Sequence, residues 1–265
     1  MLVLALDTAT PASTAALVEV TADGLFGVAE SRTVDPRAHG EKLAPEIAAV
    51  LAEAGYRPRD LTAIVAGLGP GPYTGLRVGL ATAASMGQAL DIPTYGVCSL
   101  DGLGRAAGPG RVLIATDARR REVYFATYQD GERLTGPDVA KPADVAALLA
   151  AGSLPADSLG SGPLDAGSLG ASSLGAGPLA AGLLGDAVGG GLAGLVDRAA
   201  GEGALKYGDL FGVPVEEHLL YPPGAALVAL AAAKIRGEAP SEVLTPLYLR
   251  RPDAVEPAAR KPVLT

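Results

Sequence analysis

Val3-Leu4-Ala5-Leu6-Asp7, near the start of the chain, is echoed in its middle by Leu113-Ile114-Ala115-Thr116-Asp117. Each is a short apolar run ending on an aspartate, the pattern of a strand buried on both faces. The echo extends past the aspartates. Residues 15–20 and 24–30 read as a hairpin turning at Asp23-Gly24, and residues 123–128 with Asp130-Gly131 copy that strand and turn. Two halves that each open with strand, aspartate and hairpin predict a duplicated α/β architecture with a cleft between the copies. The alternative is a chance likeness of two short strands.

Outward from the first strand, residues 43–54 read as a helix with Leu43, Ile47, Val50 and Leu51 on one face, Pro45 in its first turn and Gly55 as its stop. Residues 61–66 read as a strand. It runs into Gly67-Leu68-Gly69-Pro70-Gly71-Pro72-Tyr73-Thr74-Gly75, which opens a helix reaching about Leu90. We expect a first domain over 1–104, a second and smaller one over 105–221, and a return of 222–265 to the first, carrying a helix over 224–236. Within the second domain, 153–187 repeats with a five-residue period that keeps Leu154, Leu159, Leu164 and Leu169 in phase. A short β-solenoid is one reading; its Gly, Pro, Ser and Ala content favours a mobile insertion.

Composition narrows the function. The 265 residues carry a net charge of -8, 49% hydrophobic and 4% aromatic residues and no tryptophan. A field of that sign opposes a phosphate backbone and argues against an autonomous nucleic-acid binder. The single cysteine, Cys98, in an apolar stretch, has no partner for an internal disulfide. The two histidines, His39 and His218, are far apart and form neither His-x-x-x-His nor His-Glu-x-x-His, so metal catalysis lacks its ligands. No serine sits in a Gly-x-Ser-x-Gly elbow. The first apolar run meets Asp7 too soon for a signal peptide, and the run over 225–233 is too short for a membrane span, so a cytoplasmic setting is expected.

The glycine loop between strand and helix has two readings: backbone N–H groups holding an anion, or a tight turn that starts a helix close to the sheet. It lacks the lysine of a P-loop, and two prolines remove donors. In the helix beyond, Gly75, Gly79, Ala83 and Gly87 recur every four residues, a strip on which intrachain packing is expected. Asp7-Thr8-Ala9-Thr10 stands where sugar-kinase and actin-like folds keep a phosphate hairpin and a metal-bound aspartate. Ala9 occupies a position that needs glycine for close phosphate approach, so Asp7, Thr8, Thr10, Gly69, Gly71 and Gly75 are expected to form a degenerate phosphate site. Asp117 matches Asp7 in the second half. Its neighbours Arg119, Arg120 and Arg121 are the one compact basic run, open to a phosphate or to solvent.

Together, Leu4-Ala5-Leu6-Asp7-Thr8-Ala9-Thr10, His39, Gly69-Pro70-Gly71-Pro72-Tyr73-Thr74-Gly75-Leu76-Arg77-Val78-Gly79, Asp117-Ala118-Arg119-Arg120-Arg121-Glu122-Val123-Tyr124 and Pro246-Leu247-Tyr248-Leu249-Arg250 resemble the TsaB (YeaZ) family. The likeness covers 1–145 closely and 201–251 more loosely. Pro72-Tyr73 stands where the family commonly has Ser-Phe, and the five-residue repeat is foreign to it. The resemblance implies duplicated actin/Hsp70-like (ASKHA, ribonuclease H-like) domains with mixed sheets flanked by helices. It also implies a non-catalytic dimerisation subunit of the bacterial complex that installs threonylcarbamoyl on the adenosine beside the anticodon, in tRNAs reading codons that begin with A. The implied partners are a larger catalytic TsaD-like paralogue, a TsaE-like ATPase subunit and tRNA through the complex, with a homodimer as the competing state and no membrane. No intrinsic cofactor or metal is implied; ATP enters through the complex.

Carried onto this chain, docking falls to His39, Leu43, Glu46, Ile47 and Val50 on one helix and Thr74, Arg77, Val78 and Ala81 on the other. Ile47→Asp with Val78→Asp is then expected to abolish partner binding in a folded chain. The rival reading is an active ASKHA ATPase or small-molecule kinase with Asp7 on Mg²⁺.

Overall fold

The computed structural model describes residues 1–151 and 195–250. The repeat at 153–187 and the last part of the 222–265 return lie outside the described residues. The first half runs β1 (Leu2–Asp7), β2 (Ala12–Val20), β3 (Leu25–Val34), α1 (His39–Glu53), a 3₁₀ turn (Pro58–Asp60), β4 (Ala63–Gly67), α2 (Tyr73–Leu90) and β5 (Thr94–Val97). The second runs α3 (Ser99–Ala107), β6 (Arg111–Asp117), β7 (Val123–Gln129), β8 (Glu132–Ala140), α4 (Pro142–Ala150), β9 (Arg198–Ala200), α5 (Glu202–Phe211) and β10 (Val215–Glu216), and α6 (Gly224–Arg236) comes after it.

The sheets have orders β3-β2-β1-β4-β5 and β10-β9-β6-β7-β8. Read from the other edge, the second is the first: β6 matches β1, β7 matches β2 and β9 matches β4. Both central strands pair antiparallel with the next strand and parallel with the one across the helix crossover. Asp7 and Asp117 therefore end equivalent strands, as the sequence echo predicts.

Burial on both faces explains the apolar run of β1. Leu2, Leu4 and Leu6 face α1 and α2, packing with Leu17, Leu43, Ile47, Val50 and Leu80. Val3 and Ala5, one residue out of phase, face α6 and meet Leu227, Val228 and Ala231. A leucine fully removed from water contributes about 1.5–3 kcal/mol, and Leu4, Leu6 and Leu17 are all at 0% exposure. In the second half, α4 and α5 supply Val145, Leu149, Ala204 and Phe211 to one face of the sheet. The other face takes Leu100 and Leu103 of α3.

Two boundaries differ from the sequence reading. Helix α1 starts at His39, so Pro45 lies inside it rather than in its first turn. The ring is exposed there, and the turn before it is built from residues that the periodicity alone did not claim. The expected border at 104/105 falls within α3, whose Leu100 and Leu103 already serve the second core. Helix α6 returns to the first sheet. Gly224 makes this possible, since a Cβ there would stand 2.2 Å from that of Ala16.

Candidate functional site

The site begins where β1 turns into β2. Asp7 is at 1% exposure, and its carboxylate accepts from the Ala9 N–H at 3.0 Å and from the Ser99 hydroxyl at 2.5 Å. Burial pushes the carboxyl up from its ordinary range, while the bonds from Ser99 and Ala9 pull it back. Ser99 also accepts the Gly69 N–H at 3.2 Å. One hydroxyl thereby ties the glycine loop to the end of β1.

The rest of the turn is enclosed by the loop and by α2. The Thr8 hydroxyl donates to the Gly75 carbonyl at 2.8 Å and accepts the Gly79 N–H at 3.1 Å. The glycines make room for this. A Cβ on Gly67 would lie 1.9 Å from Asp7 Oδ2, on Gly71 2.2 Å from the Ala9 carbonyl oxygen, and on Gly75 2.8 Å from the Thr8 carbonyl oxygen. The glycine strip thus packs within the chain, chiefly on the turn, and Gly87 closes against Thr94 of β5. Thr10 is buried too, and its carbonyl lies 2.9 Å from His39 Nε2. Of the residues expected at a phosphate site, Asp7, Thr8, Thr10, Gly69, Gly71 and Gly75 do come together. Asp7 and Thr8 are taken up by bonds within the chain, whereas Thr10, Gly71 and Gly75 also line a cleft between the two halves.

The expected docking residues divide. On α1, Leu43, Ile47 and Val50 are at 1%, 6% and 0% exposure and belong to the first core. Glu46 is buried and receives the Ser13 hydroxyl. His39 is buried against Thr10. For Leu43, Ile47 and Val50 the expected surface is corrected, because the apolar stripe of an amphipathic helix faces its own sheet; His39 also lines the cleft between the halves. Val78 is half-buried against the same core, whereas Thr74, Arg77 and Ala81 are exposed. The expectation that Ile47→Asp with Val78→Asp spares the fold is corrected for the same reason.

Between the halves lies a cleft of about 760 Å³, bordered by Arg37 and Tyr73 on one side, Asp117, Arg119 and Tyr124 on the other, and Tyr248 with Arg250 from the tail. The Asp117 N–H donates to Glu202 Oε1 at 3.0 Å, and Lys206 stands 3.3 Å from Asp117 Oδ2. Burial pushes the Glu202 carboxyl up to about 7, the nearby Asp117 charge adding to the effect and backbone N–H groups opposing it. Asp117 Oδ1 and Glu202 Oε2 are buried without a hydrogen-bond partner among the described residues. The tail crosses the cleft: Tyr248 stacks on Tyr73 with ring centroids 5.1 Å apart, and Arg250 binds Glu122 and the Ala118 carbonyl. Ser99, Glu202, Lys206 and this crossing escaped the sequence reading. Each acts across the fold, and only the run 246–250 carried any signal.

Elsewhere, Cys98 is buried and its thiol is pushed up to about 12 by desolvation. No group of three His, Cys, Asp or Glu side chains placed to hold a metal occurs among the described residues. None of the described helices is long and apolar enough to cross a membrane.

Residues 31–166 match the family model described as TsaD, tRNA N6-adenosine threonylcarbamoyltransferase. An uncharacterized protein of Mycobacterium leprae is 52% identical over 155 residues, covering 57% of this chain and 43% of that protein. The tRNA threonylcarbamoyladenosine biosynthesis protein TsaB of Escherichia coli is 36% identical over 137 residues, covering 50% of this chain and 57% of that one. The chain thus spans about half the length of these relatives. The solved structure of YeaZ from Pseudomonas aeruginosa superposes with a TM-score of 0.61 at 26% identity, covering 94% of this chain and 100% of that one.

Proposed function

The chain belongs to the TsaB/YeaZ family, and from this we propose that it serves tRNA threonylcarbamoyladenosine biosynthesis as a non-catalytic subunit whose task is to dock a larger TsaD-type paralogue. The observation that carries the reading is the closed turn at the end of β1. Asp7 is held by Ser99, and Thr8 by Gly75 and Gly79, where an ATP-binding hairpin would keep such groups free for phosphate.

Docking belongs to the outward faces of α1 and α2, which lie side by side over the first sheet. Ala44, Ala48, Ala81 and Ser85 are exposed there, with Thr74, and Lys42 and Arg77 add charge at the margin. Small side chains with a charged rim suit a closely packed helix interface. A TsaE-like ATPase and tRNA join through the assembly, in the cytoplasm, and a second copy of the chain competes for the same face when the paralogue is absent. ATP acts within that assembly, and no cofactor resides in this chain.

Co-elution with the paralogue on size exclusion, with mass read by light scattering, tests this. A stoichiometric heterodimer that Ala48→Arg with Ala81→Arg abolishes is the expected result. Two folded proteins that do not associate would overturn the reading, and magnesium-dependent ATP turnover lost in Asp7→Asn would favour a kinase or ATPase instead.

A further inference from the structure

We infer that the β6–β7 turn and the mouth of the cleft beside it form a contact for single-stranded RNA, with arginines on the phosphodiester backbone and tyrosines under a base. The inference rests on the reading that this chain works within a tRNA-modifying assembly.

The turn is unusual in its backbone. Arg119, Arg120 and Arg121 have φ of +61°, +51° and +62°, and the Glu122 N–H closes the turn on the Arg119 carbonyl at 2.9 Å. Two central residues with positive φ make a type I′ turn, a place that Asn-Gly fills with least crowding. Three side chains with a Cβ are held there against their local preference, and strain of this kind collects at functional sites. The turn is also braced. The Ala118 N–H bonds the Glu122 carbonyl at 2.9 Å, and Arg250 binds both the Ala118 carbonyl and the Glu122 carboxylate. All three turn arginines are exposed.

Next to it is an aromatic step. Arg119 lines the cleft that Tyr73 and Tyr248 border; these two rings are stacked at 5.1 Å and are 46% and 41% exposed. The Arg77 guanidinium lies 4.5 Å over the Tyr73 ring, and Arg37 faces the cleft from the first half. Cations beside exposed aromatic faces bind single strands, because phosphates meet the charges while an unstacked base finds a π-surface. The chain's net charge of -8 opposes RNA at a distance, so the isolated chain binds through this local patch and weakly.

Fluorescence anisotropy of the full chain with a labelled single-stranded oligoadenylate RNA at low salt tests the contact. We expect salt-sensitive binding. Arg120→Asn with Arg121→Gly, which suits the turn and removes two charges, should leave melting unchanged or raised and weaken RNA binding about tenfold, with a shallower dependence on salt. Tyr248→Ala should weaken binding without changing that dependence. Unchanged affinity and salt dependence in the folded Asn-Gly variant would overturn the inference, as would polyglutamate binding as tightly as the RNA. The variant should still co-elute with the TsaD-type paralogue. A wild-type chain that co-elutes but binds no RNA at low salt would overturn the RNA contact and leave the docking reading standing, whereas failure to co-elute would remove the reading beneath it.

Discussion

The Thr8 hydroxyl sits at the backbone of Gly79: it accepts that residue's N–H at 3.1 Å, and a Cβ on Gly79 would lie 2.4 Å from the same oxygen. Because the hydroxyl also donates to Gly75, a side chain of the β1–β2 turn joins two residues one helical turn apart in α2. The glycines of α2 thus hold the helix against the turn, which is why the Thr8 hydroxyl is engaged within the chain.

Gly79→Ala should destabilise the fold by about 1–3 kcal/mol through overpacking, although alanine is the better helix former by about 1 kcal/mol. The urea midpoint measures it. In a Thr8→Ala background the same substitution should cost less, because the clashing oxygen is gone, and the double-mutant cycle should show coupling. Additive effects would place the strain elsewhere.

Neighbouring positions on α1 should separate folding from docking. Ile47→Asp puts a carboxylate into the first core and should cost more than about 3 kcal/mol, seen as loss of cooperative melting. Ala48→Arg, one residue on and exposed, should leave melting within about 0.5 kcal/mol of wild type while weakening association with the paralogue. Equal melting of the two variants would contradict the burial pattern.

Glu202 should make stability depend on pH. Its folded carboxyl, pushed up to about 7 from an ordinary 4.5, keeps a proton that the unfolded chain releases. The stability linked to it is complete below about pH 4.5 and is lost as pH rises through 7, on the order of 3 kcal/mol in all. Urea titrations from about pH 5 to pH 8 should show this loss in wild type and a flatter profile in Glu202→Gln. Parallel profiles would mean that Glu202 ionises normally.

Arg250→Ala should free the tail from the second half, since it removes both the Glu122 ion pair and the bond to the Ala118 carbonyl. Limited proteolysis should cut the tail several-fold faster, while global melting falls by only about 1 kcal/mol. A cutting rate equal to wild type would show that Tyr248 on Tyr73 is enough to hold it.

The duplicated plan could be read from the chain because burial on both faces leaves a local mark: β1 and β6 are apolar runs ending at Asp7 and Asp117, each leading into a hairpin with an Asp-Gly turn. Helix α2 and its glycine loop were readable for the same reason. The start of α1 was not, because residues 39–42 lack apolar periodicity and Pro45 resembles a first-turn proline. The apolar stripe of α1 was found, but periodicity names the residues that are covered and not what covers them. The sheet covers Leu43, Ile47 and Val50, and the outward Ala44 and Ala48 of the same helix were left unnoticed.

The aspartate echo, the two hairpins and the glycine strip were thus written in near-neighbour patterns, where chain geometry acts within a few residues. The closure of Asp7 by Ser99, the seat of Thr8 on Gly79, the raised Glu202 carboxyl and the Tyr73–Tyr248 stack join segments distant in sequence. They arise from desolvation and from distances that exist once the sheets and helices have packed, and neither quantity belongs to a residue taken alone.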